Sequence, residues 1–422
     1  MQVQVPNEIL HTSEVMSLTL NLNKNNVLKA LQRETRLKSS RQPPISKIRI
    51  KCVNGEFWSG MGASLSDSDL ILIFQRIGHA FPCLQELHMK EFELPLPSMA
   101  LVALLRATRY TLQVIDMADV ILKGKPQELE DLATFFQGHP SLQTLRLDWC
   151  QPLCGNLEPV FCTLSTIPNL TQVMFCGSFP SAPSIRDLCC KQSIKRLSLL
   201  DDDLGNNGMN AISESLGKNQ HIQELSLRLM HLEFDTGQRF SNALRLNHSL
   251  KNLEIRIRDS DWNSYGTSFV TALHHNTTLT TFTLFIDGNG IQITATAEQL
   301  GSCFLQHSSL KSLRIVLRGL HIHSDYPSLQ NAFEGPLRTM LQSNIILEEL
   351  QVDGVPSLPF DVDFYLKANR LGRGKLLQDP SNQQLWLQTL IANRQNVAFT
   401  HFLLSMNPAL CPCPSRSTVW FV

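Results

Sequence analysis

A six-residue pattern of apolar positions, apolar-x-x-apolar-x-apolar, recurs along almost the whole chain. Its occurrences begin at Val15, Ile45, Leu84, Leu112, Leu142, Leu170, Ile194, Ile222, Leu250, Leu279, Leu310 and Leu347. The spacing between successive starts clusters near 28 residues, and a fixed period of this length is typical of repeat architectures.

Each repeat predicts one strand and one helix. At the end of the pattern apolar and polar residues alternate, which is the period of a strand with one buried face. In the segments that precede the pattern, such as residues 209–219 and 336–344, apolar residues recur every three or four positions, which is the period of an amphipathic helix.

In six of the repeats an asparagine or a histidine lies three positions before the pattern. Asparagine holds this position at four repeats and histidine at two: Asn219, Asn247, Asn276, Asn344, His139 and His307. Asparagine tolerates the left-handed backbone conformation that ends many helices, so we interpret these residues as helix ends.

The repeated pattern LxxLxL followed by a helix resembles the ribonuclease-inhibitor-like leucine-rich repeats, over roughly residues 15 to 355. The resemblance implies an α/β solenoid, a horseshoe with a parallel β-sheet on its concave face and helices on its convex face. The family usually places Asn or Cys eight residues after the first leucine, and here only Cys150 matches. We therefore expect a less regular solenoid.

Three regions are predicted along the chain. Residues 1–44 form the N-terminal first repeat and cap, with a helix at 26–37, and residues 45–357 form the leucine-rich repeats. Residues 358–422 form a helical C-terminal cap and tail. Five aromatic residues give that cap apolar area with which to cover the end of the repeats: Phe364, Tyr365, Trp386, Phe399 and Phe402.

Charge and composition narrow the function classes. Lys plus Arg and Asp plus Glu both number 37, so no net field attracts nucleic acid or an anionic membrane. The first residues lack a signal-peptide pattern, and no apolar stretch reaches the roughly 20 residues that cross a bilayer. The 11 cysteines show no disulfide framework spacing. We expect a monomer in the cytoplasm or the nucleus.

Candidate catalytic and metal-binding motifs are incomplete. Gly372, Gly374 and Lys375 lack the spacing of a phosphate-binding loop. His321, His323 and Asp325 have no matching ligand pair nearby, and we interpret them as part of a solvated loop. The sequence therefore predicts a protein that is not an enzyme and that holds neither a cofactor nor a metal.

The face of the predicted sheet offers a candidate binding surface. From Ile222 onward the alternation runs two residues further, which predicts four longer strands whose outward residues include Met230. Five arginines and an exposed phenylalanine, residue types that anchor protein interfaces, share these strands with a glutamate. The predicted partner-binding residues are Arg228, Glu254, Arg256, Arg258, Phe285, Arg314 and Arg318.

These observations favour a non-catalytic protein–protein interaction scaffold that binds an acidic partner protein on its concave face. An ordinary solvated face is the alternative, in which Glu254, Asp287, Asp259 and Asp261 only neutralise the arginines. Two other functions occur on similar repeats. A GTPase-activating protein would reveal itself in an assay of GTP hydrolysis. A ubiquitin-ligase substrate adaptor is suggested by Val5 to Leu10, which are similar to the opening of an F-box but leave no room for its three helices.

Overall fold

The structure is a computed structural model, and it divides the chain into two compact units, Met1–Leu250 and Lys251–Val422. The residues it describes are 15–19, 47–52, 66–152, 156–177, 180–200, 204–288, 293–305, 307–318, 322–353, 360–379, 381–407 and 410. The F-box-like segment and the predicted helix at 26–37 lie outside the described residues. The predicted limits of the three regions stay a prediction.

The first unit repeats a strand followed by a helix. Its strands are β1 (Val15–Thr19), β2 (Lys47–Cys52), β3 (Glu86–Pro97), β4 (Val114–Lys123), β5 (Thr144–Asp148), β6 (Gln151–Pro152), β7 (Gln172–Cys176), β8 (Arg196–Leu199) and β9 (Glu224–Leu229). Its helices are α1 (Asp67–Ala80), α2 (Ser98–Thr108), α3 (Pro126–Phe136), α4 (Glu158–Leu164), α5 (Ala182–Cys190), α6 (Gly205–Leu216) and α7 (Phe234–Leu246). The strands pair in parallel in chain order, except that β6 pairs with β4.

The second unit continues the same repeat and then changes to helices alone. Its strands are β10 (Asn252–Arg258), β11 (Thr281–Asp287), β12 (Ser312–Arg318) and β13 (Glu349–Asp353), again parallel and in chain order. Its helices are α8 (Asp259–His275), α9 (Ile293–Phe304), α10 (Ile322–Ser343), α11 (Phe360–Arg370), α12 (Arg373–Gln378), α13 (Gln383–Ala392) and α14 (Val397–Met406).

The apolar positions of the repeat form buried rows across neighbouring strands. In the first unit the row of paired residues is Leu87, Ile115, Leu145, Val173, Leu197 and Leu225, all of them buried. In the second unit Leu253, Phe282 and Leu313 are paired and buried in the same way. Burying one such side chain contributes about 1.5–3 kcal/mol. The predicted α/β leucine-rich-repeat fold is therefore confirmed.

The prediction that the four strands from Ile222 onward are the longer ones was correct only in part. Strands β10, β11 and β12 have seven residues each and β9 has six, but β3 with 12 and β4 with 10 are longer. In β4 the alternation changes phase where Asp119 takes a left-handed backbone, φ 55°, and this phase change hides the length of the strand in the sequence. The prediction that Met230 faces outward was wrong, because it follows the end of β9 and is buried.

The asparagines at the helix ends act through their side chains rather than through a left-handed backbone. Asn247 has φ −80° and ψ 128°, which is extended. Its Oδ1 accepts hydrogen bonds from the amides of Ser249 (3.0 Å) and Leu250 (2.8 Å), and its Nδ2 donates to the carbonyl of Leu216 in the previous repeat. Asn344 makes the same three bonds. The left-handed interpretation is corrected: these residues form an asparagine ladder that joins successive repeats.

The two histidines at this position act as asparagine substitutes. His307 Nδ1 accepts from the Leu310 amide at 3.1 Å, while Nε2 lies 3.1 Å from the Leu273 carbonyl. His139 Nδ1 accepts from the Leu142 amide at 3.2 Å, but its Nε2 is buried without a hydrogen-bond partner among the described residues. Burial, helped by the charge of Arg109, lowers the pKa of His139 to about 4, so the ring is neutral at pH 7.

The C-terminal helices have an aromatic core of their own. Phe364, Trp386 and Phe399 are buried in one cluster, with Phe402 packed against it. Arg373 is buried and donates to the carbonyls of Leu341 and Gln342 at the end of α10, which satisfies backbone groups that a helix end leaves open. In the part of the chain that the structure describes, no helix combines the length and the apolar character that crossing a membrane requires.

One local prediction in the second unit was wrong. His323 and Asp325 were interpreted as part of a loop, whereas they belong to helix α10, which runs for 22 residues. His321 lies outside the described residues. The proline at position 327 led to the wrong prediction, because proline inside a helical pattern usually indicates the end of a helix or a kink.

Candidate interaction surface

The outward residues of β10 to β13 define what we call the second-unit strand face. Parallel pairing aligns them in rows across the four strands. One row is Glu254, Thr283, Arg314 and Gln351; the next is Arg256, Phe285, Val316 and Asp353; the last is Arg258, Asp287 and Arg318. Six of the seven predicted binding residues therefore lie together on one surface.

Phe285 is the centre of this face, but it is covered rather than exposed. The Cζ atoms of Arg256 and Arg318 lie 4.8 Å and 4.9 Å from the centroid of its ring. The Phe285 side chain is only 7% exposed as a result. The prediction of an exposed aromatic was wrong, because two guanidinium groups stack on the ring and exclude water from it.

Two of the arginines are neutralised within the face. Arg256 Nη2 lies 3.1 Å from Glu254 Oε1, and Arg314 Nη2 lies 2.7 Å from Asp353 Oδ2. Gln351 also donates to the Asp353 carboxylate, at 2.6 Å. The solvated-face alternative correctly identified Glu254 as a neutralising partner, but it did not include Asp353, which comes from the last strand.

Arg318 differs from its neighbours. It is exposed, and among the described residues its guanidinium forms no ion pair. Asp287 is its backbone neighbour on β11, yet Asp287 Oδ1 is buried without a hydrogen-bond partner in the described part of the chain. Ion pairs within the face join Arg256 to Glu254 and Arg314 to Asp353. Arg318 therefore remains available to a carboxylate of a partner.

Arg228 is the one predicted residue that the second unit does not contain. It is half-buried on β9, at the end of the first unit. The surface described here is therefore built from the remaining six residues.

A second cluster of polar side chains lies on the strands of the first unit, and the sequence analysis missed it. His88 Nδ1 lies 3.0 Å from Asp116 Oδ2, and His88 Nε2 lies 3.0 Å from Glu86 Oε2. Arg146 bonds to Asp148 at 2.8 Å. Burial alone would raise the pKa of Asp116, but the His88 hydrogen bond and the nearby cations outweigh it and lower that pKa.

A signal for this cluster was present in the sequence. His88, Asp116 and Arg146 each follow the first leucine of their repeat by four residues, and Arg314 follows Leu310 by the same interval. Comparing polar residues by repeat position, rather than along each strand, would have found both surfaces. Among the described residues no group of three or more His, Cys, Asp and Glu side chains could hold a metal ion.

Comparisons with known proteins add little to this geometry. No family model and no curated protein matches the sequence. Among solved structures the chain is similar to one described as leiomodin-1 actin-binding site 2, at 18% sequence identity and a TM-score of 0.29, over 40% of this chain and 95% of that chain. At this identity and TM-score the likeness carries no argument about a partner.

Proposed function

We propose that this chain is a non-catalytic interaction scaffold of the ribonuclease-inhibitor-like type, which binds a partner protein on the second-unit strand face. Four parallel strands in unbroken register hold this face, so its side chains start from fixed positions. A face held in this way loses little conformational entropy when it binds, which favours recognition.

The observation that carries the proposal is the stacking of two arginines against Phe285 on β11. Arg256 reaches the ring from β10 and Arg318 reaches it from β12. Stacking uses the flat face of a guanidinium and leaves its N–H donors pointing outward in the plane. Arg256 already gives its donors to Glu254. Arg318 keeps its own donors, in the fork geometry that fits a carboxylate.

The chemistry of the expected partner follows from these contacts. A carboxylate of the partner would form an ion pair with Arg318. Neutral polar groups of the partner would contact Thr283 and the Arg314–Asp353 pair. Because Arg256 and Arg314 are already paired with carboxylates of the face, we expect recognition of one or two acidic side chains rather than of a broad acidic surface.

The experiment compares capture of a partner by purified variants of the full chain. Arg318→Gln and the double variant Arg256→Glu with Arg314→Glu alter the strand face. The double variant Lys375→Glu with Arg394→Glu makes the same change of charge on two exposed residues of the C-terminal region, Lys375 in α12 and Arg394 in the turn after α13. We expect both strand-face variants to lose a partner that the wild type and the C-terminal variant retain. Equal capture by all four proteins would discard this surface.

A further inference from the structure

A tryptophan on the first unit is presented to solvent in a backbone conformation that tryptophan rarely adopts. Trp149 follows β5 with φ 53°, in the left-handed region, and its side chain is 46% exposed. A non-glycine residue held there is strained, and such strain persists only where the surroundings fix it.

The neighbours of Trp149 explain how the strain is kept. The Trp149 amide donates to the Cys176 carbonyl at 2.6 Å, and Cys150, the next residue, is buried with its thiol 3.5 Å from the Met117 carbonyl. On the following repeat Gly177 also has a positive φ, and a Cβ there would lie 2.7 Å from Trp149 Cε3. The indole therefore rests on a glycine that leaves room for it.

The preceding repeat places an aspartate at the backbone position next to this tryptophan. Ala118 pairs with Asp148 and Ile121 pairs with Gln151, so Asp119 and Trp149 occupy neighbouring positions on adjacent stretches of backbone, which lie about 4.8 Å apart in a sheet. Asp119 is exposed. Burial raises the pKa of the Cys150 thiol, and the charges of Asp148 and Asp119 add to that rise. Among the described residues no ion pair involves Asp119 and no cation lies over the Trp149 ring.

We propose that Trp149 and Asp119 form a binding site for a lysine or arginine side chain of a partner protein. The indole face attracts the cation, and the Asp119 carboxylate neutralises it. Arg146, on the strand that precedes Trp149, is paired with Asp148 and Asp116. This site has the opposite charge preference to Arg318, and it does not depend on the function proposed for the second unit.

The test uses fluorescein-labelled peptides of alternating lysine and glycine, with a glutamate–glycine peptide of equal length, and measures anisotropy against the full chain. The basic peptide should bind in a saturable, salt-sensitive manner and should quench tryptophan emission. The acidic peptide should not bind. Binding of both peptides, or of neither, would overturn the proposal.

Variants locate the binding. Trp149→Leu keeps an apolar side chain but removes the aromatic face, and it should weaken binding about two- to fivefold. Asp119→Asn should weaken binding by a similar factor, about two- to fivefold, and reduce its salt dependence; asparagine also tolerates the left-handed backbone, so folding is preserved. Tyr110→Ala, at a tyrosine 80% exposed in the same unit, is the control. Unchanged affinity in both site variants, or an equal loss in the control, would contradict the assignment.

Discussion

The side-chain nitrogen of Asn247 donates to the carbonyl oxygen of Leu216, 2.8 Å away and one repeat earlier in the chain. The side-chain oxygen of the same asparagine accepts hydrogen bonds from two backbone amides of its own turn. It therefore joins the end of one helix to the start of the next strand, and the buried polar groups of the turn depend on it.

Asn247→Ala should lower the free energy of unfolding by about 1–3 kcal/mol, because buried backbone groups lose their partners. Asn247→Gly separates the two explanations of this position. A left-handed helix end would accept glycine, whereas the asparagine ladder predicts a loss as large as that of alanine. Urea unfolding measures both, with Asn207→Ala, an exposed helical asparagine, as the control. A stable glycine variant would contradict the ladder.

His139→Asn should change how stability depends on pH. The pKa of an unfolded histidine is about 6.5, whereas burial lowers that of folded His139 to about 4. Between these values only the unfolded state binds the proton, so the contribution of His139 is complete above about pH 6.5 and is lost as pH falls towards 4. Asparagine does not titrate, so the variant should lose less stability over this interval. Parallel curves of unfolding free energy against pH for the two proteins would contradict the prediction.

Leu253→Ala should destabilise the protein by about 2–5 kcal/mol, because the leucine is buried in the row that crosses the second-unit strands. Lys251→Ala, two residues away and exposed, should change the melting temperature little. Differential scanning calorimetry compares them. Similar melting temperatures for both variants would mean that the row is not a core.

Arg373→Lys should destabilise the C-terminal helices although it keeps the charge. The guanidinium donates to Leu341 and Gln342 and stacks on Tyr365, with its Cζ 4.7 Å from the ring centroid. A lysine ammonium is a compact group without a planar fork, so it cannot make all these contacts at once. We expect faster hydrogen exchange at the end of α10 and in α11. If hydrogen exchange in the Arg373→Lys variant is as slow as in the wild type, only the charge of this side chain matters.

The sequence predicted those features that the repeat itself encodes. Leu87 and Leu253 are buried because the leucine pattern fixes which side of each strand faces the helices. The position of Asn247 was recognised but explained by the wrong mechanism, because spacing shows where a helix ends and not which atoms satisfy its carbonyls.

The candidate site was less predictable because its character comes from contacts between repeats. Alternation places Phe285 on the strand face, but its cover by Arg256 and Arg318 depends on side chains about 30 residues away on either side. The pairing of Arg314 with Asp353 spans 39 positions. No local pattern contains either contact.

Site-specific crosslinking in native cells tests the central claim most directly. A photo-crosslinking amino acid is placed at Thr283, on the second-unit strand face, and separately at Ser264, which is exposed on α8. The account predicts a discrete crosslinked partner from position 283 that is absent from position 264 and that disappears when Arg318→Gln is added. The same crosslinked proteins from both positions, unaffected by Arg318→Gln, would contradict it.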